Sequence, residues 1–179
     1  MGRHIALLRA VNVGKRQVPM AKLRELMAAA GFQDVATYLQ SGNVFLAGGG
    51  LSPEDNGVRL EKLLLDEFGF AVECVMRTTE QLDAVIAANP LPARVADAKR
   101  YVVTFFDQAP DPELVAALKA EDFAPDEFTF IGDELYSWSP NGVHTSKFTQ
   151  PFLTRKLKVR AATGRNWDTV RKLRELAGD

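Results

Sequence analysis

The stretch "TYLQSGNVFLAGGG", Thr37 to Gly50, decides the fold. Two short apolar runs, Val35 to Leu39 and Val44 to Ala47, meet at Gln-Ser-Gly-Asn, which is a hairpin signal. Ser41 and Gly42 suit a two-residue turn with Gly42 at positive φ, and Asn43 can bond its own backbone. Gln40 is left without a structural task. A helix lies on either side. Upstream, His4 to Val11 is a nearly continuous apolar run that suits a strand covered on both faces. Pro19 then opens a helix in which Met20, Leu23, Leu26 and Met27 recur at helical spacing until Gly31 closes it. Downstream, Ser52, Pro53 and Asp55 form a helix start with Ser52 as cap. Leu60, Leu63, Leu64 and Phe68 carry that helix to Gly69, and "AVECVMR" alternates as a strand. The order β-α-β-β-α-β is the split βαβ of a ferredoxin-like unit.

The second half predicts the same order. A connecting helix over Thr79–Ala88 ends at "NPLP". Tyr101–Phe106 is a strand, Asp111–Ala120 a helix, and Phe128–Ile131 with Glu134–Trp138 a hairpin turning at Gly-Asp. Ser146–Leu157 reads as a helix capped by Ser146, Val159–Ala162 as a short strand, and Asn166–Ala177 as a closing helix. The repetition is one of order, without residue-level identity between the halves. The expectation is an α+β chain of two packed ferredoxin-like units, residues 1–88 and 89–179, the second carrying a C-terminal helix.

Bulk properties narrow the function classes. The 179 residues are 46% hydrophobic and 25% charged, ordinary for a soluble globular protein. A single cysteine excludes an internal disulfide and points to a reducing, cytoplasmic compartment. Cys74 shares a strand face with Val72 and Met76, so it reads as a small core residue. Arg9 interrupts the N-terminal apolar run, which is neither signal peptide nor membrane span, and Ala6 stands where a myristoylation signal needs Ser or Thr. No membrane partner is expected. His4 and His144 are the only histidines and no Cys-x-x-Cys occurs, so nothing calls for a metal or a cofactor.

The net charge of −1 conceals an asymmetry. Residues 1–50 carry six Lys/Arg against two acids, residues 51–146 seven against eighteen, and residues 147–179 nine against three. Basic ends that met in space would attract phosphates. Helix faces solvated by mixed charge explain the same distribution.

The loop "RAVNVGKRQVPM" follows the first strand and precedes a helix, placing Arg9, Lys15 and Arg16 near a helix N-terminus, where backbone N–H groups favour anions. It matches neither G-x-G-x-x-G nor the Walker pattern. In "TGRNWDTVRKL", Asn166 and Asp168 are explained by capping and by the helix dipole, and Trp167 by packing the last helix down. Arg165 is not explained by capping, because a cation sits poorly at a helix N-terminus. His144, Ser146 and Lys147 lie together in "NGVHTSKF", but no G-x-S-x-G elbow accompanies them. No residue set names a reaction.

Four strings, "ALLRAVNVG", "VPMAKLRELMAAAGFQDVATYLQSGNVFL", "NPLP" and "TGRNWDTVRKL", together resemble the bacterial family called domain of unknown function 1697, over Ile5 to Leu176. Arg9, Asn12 and Gly14 match the family's first loop, while Ala10 and Lys15 stand where it has glycine. Gln40 to Asn43 match its turn, and Thr163, Arg165, Asn166, Trp167, Thr169 and Val170 match its closing pattern. The resemblance implies a ferredoxin-like α/β fold in a small cytoplasmic protein and assigns no catalytic residue.

Topology puts the hairpin tip and the end of the first strand on one rim of the sheet. The functional expectation is a small phosphate- or carboxylate-bearing ligand held there by Arg9, Asn12, Lys15, Gln40 and Asn43, with Arg165 as a further contributor. The alternative is a protein-interaction or self-association module, including a homo-oligomer, without catalysis. Nucleic acid is third: Tyr38 and Phe45 suit a free sheet face, but the closely spaced aromatics of an RNA-binding motif are missing.

Overall fold

The computed structural model describes residues 2–178. Its first half runs β1 (Arg3–Leu8), α1 (Met20–Ala29), β2 (Ala36–Tyr38), β3 (Asn43–Ala47), α2 (Pro53–Phe68) and β4 (Cys74–Thr78), followed by α3 (Thr79–Ala87). The second half runs β5 (Tyr101–Phe106), α4 (Pro112–Ala116), β6 (Glu127–Ile131), β7 (Glu134–Trp138), α5 (Gln150–Leu157), β8 (Ala162–Asn166) and α6 (Trp167–Ala177). The sheets have the orders β2-β3-β1-β4 and β6-β7-β5-β8, with every neighbouring pair antiparallel. That is the ferredoxin-like arrangement, twice. Residues up to Asp83 and from Leu173 onward form one compact unit, and Ala84 to Lys172 form the other.

Alternation builds each core. Ala6 and Leu8 of β1 and Val44 and Leu46 of β3 point to one face, where Leu23, Met27, Leu60 and Leu64 of the two helices cover them. Each fully buried leucine contributes about 1.5–3 kcal/mol. Cys74 belongs to this core and is buried, as a small apolar residue should be. In the second unit Phe106, Leu135 and Ala162 pack beneath Leu153 and Leu157 of α5. Around them Phe123 stacks on Phe148 at 4.5 Å and meets Phe128 edge-on at 5.2 Å.

The two sheets share one register. Ala6 pairs with Val44 and Met76, and Thr104 pairs with Leu135 and Gly164. His4 pairs with Leu46 and Thr78, and Val102 with Ser137 and Asn166. The same registration makes Arg77, opposite Ile5, the counterpart of Arg165, opposite Val103.

The elements depart from the sequence reading in four places. The hairpin loop has four residues, because Tyr38 pairs with Asn43 and Leu39 as well as Gly42 takes positive φ. α4 is one turn, followed by a 3-10 turn at Ala120–Asp122. α5 starts at Gln150 with Thr149 as its cap; Ser146 instead accepts from the Phe148 N–H in the preceding loop. The last strand is Ala162–Asn166 rather than Val159–Ala162, so Arg165 sits in a strand and not in a loop. Ser52 does cap α2, and Asn166 does cap α6 by accepting from Thr169 N–H. Trp167 is buried and stacks on Tyr101 at 5.1 Å, anchoring the start of α6. No described helix is long and apolar enough to cross a membrane.

Candidate functional site

The rim of the first sheet is built by two loops that hold each other. Leu8 N–H donates to Gly42 O at 2.9 Å, and a Cβ on Gly42 would lie 2.7 Å from Val11 Cγ2 and 2.8 Å from Leu8 Cβ. Only glycine fits there, at a φ of 87° and in such close approach. Asn12, itself at φ 56°, donates from Nδ2 to Val18 O and Gln40 O and accepts Val18 N–H at Oδ1. The strand end and the hairpin tip are therefore joined side chain to backbone.

Arg16 closes the first loop from within. Its Nε donates to Ala10 O at 2.7 Å, its Nη2 to Ala71 O at 3.0 Å, and its guanidinium lies 4.9 Å over the Phe70 ring. Asn12 N–H to Arg16 O and Arg16 N–H to Val13 O make the tight turn on which Gly14 and Lys15 sit. Lys15 is thereby displayed at the tip, exposed.

Arg9 follows directly on β1. Its Nη1 lies 3.5 Å from Glu73 Oε2, both side chains being partly exposed, while Nε is shut off from solvent with no hydrogen-bond partner. Asn43 is wholly buried and donates to Tyr38 O at 2.7 Å and Ser41 Oγ at 3.3 Å. Gln40 presents its side chain to solvent while its carbonyl receives Asn12. Arg9, Asn12, Lys15, Gln40 and Asn43 are thus gathered on one rim, with the two asparagines committed to holding its loops.

Arg165 belongs to the second unit. Its Nη1 donates to Thr163 Oγ1 at 2.9 Å and Gly164 O at 2.8 Å, and burial pushes its pKa down to about 10. Its counterpart Arg77 is buried too and donates from Nη1 to Met76 O at 2.8 Å. The pair of buried arginines at one register position escaped the sequence reading. The string Arg-Thr-Thr against Arg-Asn-Trp, each at a strand-to-helix junction, was its only signal.

Among the described residues no group of three His, Cys, Asp or Glu side chains could hold a metal ion. His4 is buried and its Nδ1 accepts from Asn56 Nδ2 at 3.1 Å, and desolvation lowers its pKa from 6.5 against the pull of Glu54 and Glu80.

A solved structure described as the conserved bacterial protein SP0830 from Streptococcus pneumoniae is similar along the whole chain. It is 22% identical with a TM-score of 0.75, and the alignment covers 100% of this chain and 99% of that one. At that identity the likeness concerns the fold. No curated protein matches the sequence. The profile of the family described as "Protein of unknown function (DUF1697)" matches residues 1–136, and the chain belongs to that family.

Proposed function

We propose that the protein binds a small phosphate- or carboxylate-bearing ligand at the rim of the first sheet. Arg9 carries this reading. Its Nε is buried without a partner, and Glu73 approaches only to 3.5 Å. Charge-assisted bonds close to about 2.7–2.9 Å, so the guanidinium has bidentate capacity to spare. Ligand contacts fall to Arg9, Lys15 and Gln40, with Asn12 and Asn43 positioning them. Arg165, in the other unit, is left out. The rim also concentrates backbone strain: Ala10, Asn12 and Leu39 all take φ between 52° and 61° without being glycine. Such strain persists where the surroundings impose it, often at sites of binding.

Phosphate or sulfate is expected to raise the melting temperature relative to chloride of matched ionic strength, and Arg9→Ala to remove most of that rise. An equal response from both proteins, or none from either, defeats the reading. A second reading has its own observation, since Val13 (54% exposed) and Leu39 (48% exposed) stand on the same rim. If the rim instead docks a protein or a second copy, light scattering will show an assembly that Leu39→Asp disperses.

A further inference from the structure

The second sheet departs from the first in one respect that its topology does not require. In the first unit α2 runs sixteen residues and lies across the helix-side face of its sheet. A Cβ on Gly57 would meet Met76 Cγ at 2.9 Å, and Asn56 bonds His4, so that end of the face is closed. In the second unit α5 has eight residues. The corresponding end of the face is open, and a cavity of about 500 Å3 lies there, within the 300–1,000 Å3 of typical ligand sites.

The residues that floor it have changed with the loss of cover. Where the first sheet has Ala6, Leu46 and Met76, the second has Thr104, Ser137 and Gly164. Thr104 and Ser137 are 4% and 5% exposed, and neither hydroxyl has a protein hydrogen-bond partner among the described residues. Both hydroxyls open onto the cavity rather than into packed interior, Arg9 Nε being the one buried side-chain polar atom without a partner among the described residues, and packing does not explain the exchange of three apolar side chains for two hydroxyls and a glycine. Asn166, at the same edge, accepts Thr169 N–H at Oδ1, which leaves its Nδ2 uncommitted.

We propose that this cavity is a second binding site, taking a small hydroxylated phosphate ester of the sugar-phosphate class. Serine and threonine hydroxyls both donate and accept, which matches the hydroxyls of a polyol or a sugar. Val102, Val143 and Phe148 supply apolar walls for its C–H faces. Lys99, exposed, is the one charged residue in the lining, and the first turn of α5 beside it carries no acid. Phosphate belongs at that end. Inorganic phosphate alone would leave the floor unmet.

The test is a set of amide NMR titrations of the whole chain with glucose 6-phosphate, ribose 5-phosphate and glycerol 3-phosphate, with glucose and inorganic phosphate as controls. At least one ester is expected to shift Thr104, Ser137, Gly164 and Gln150 saturably, where neither control does so at the same concentration. Gly164→Met returns the side chain that Met76 provides in the first sheet; it should fill the cavity and abolish the shifts with the fold intact. Should that variant not fold, Thr104→Val with Ser137→Ala replaces it, each lost hydroxyl weakening binding about tenfold. Arg9→Ala should leave these shifts unchanged, which separates this site from the rim. No shift with any ester, the full pattern with inorganic phosphate, or undiminished binding in the folded variants overturns the proposal.

Discussion

An amide buried as completely as that of Asn43 holds its loop by having no alternative. Its Nδ2 reaches Tyr38 O across the hairpin, at the point where the strands separate. Asn43→Ala strands that carbonyl inside the protein and should cost about 1–3 kcal/mol in urea denaturation. Gln40→Ala, whose side chain is in solvent and whose carbonyl survives the change, should stay within about 0.5 kcal/mol of the parent. Turn chemistry made Gly42 readable in the sequence, whereas Asn43, expected to bond its own backbone, donates across the hairpin to Tyr38 O. Turn chemistry did not reveal the loop length, because Leu39 enters the left-handed region for a reason lodged elsewhere. Gly42 must seat against Leu8 and Val11, and a leucine's local preference yields to that contact. The same limit hid the commitment of Asn12, whose partner Gln40 O lies twenty-eight residues away.

Elements with strong periodicity and explicit caps were legible, α2 above all, from Ser52 to the left-handed Gly69. α5 was read too long although Pro151 held the answer: proline is tolerated only in a helix's first turn, which puts the start at Gln150. β8 was placed too early, over Val159–Ala162, because Ala-Thr-Gly-Arg-Asn has no apolar alternation, its strand character coming from the ladder to β5. A testable coupling joins β1 to α2 through His4 and Asn56. Burial holds the folded imidazole's pKa below its usual 6.5, so the unfolded chain takes up the proton first. Stability from this group is therefore complete above about pH 6.5 and declines as pH falls through that value toward the folded pKa. His4→Gln should flatten the difference between urea midpoints measured near pH 7.5 and pH 5.5; a variant as pH-sensitive as the parent would show that other groups govern this range.

For the molecule as a whole, the last helix carries a larger share than its position suggests. From Leu173 onward it belongs with the first unit, where Arg174 Nε pairs with Asp83 and Arg3 Nη1 donates to Leu176 O at 3.0 Å. Leu173 is fully buried, so Leu173→Ala should cost about 2–5 kcal/mol. Hydrogen exchange should then accelerate in β1 and α3; acceleration confined to the end of α6 would contradict this assignment. The doubled topology was legible from element order, whereas the shared register, with Arg77 and Arg165 as counterparts, needed the strand pairings. One consequence follows from the unequal lengths of α2 and α5. A chain that carries the same sheet twice can divide its obligations between the copies. The copy roofed by a long helix is held to a sealed interior and should tolerate little variation beneath that roof. Its counterpart is relieved of sealing, so Thr104, Ser137 and Gly164 answer to the ligand of the open face, while Ala6, Leu46 and Met76 answer to the roof above them.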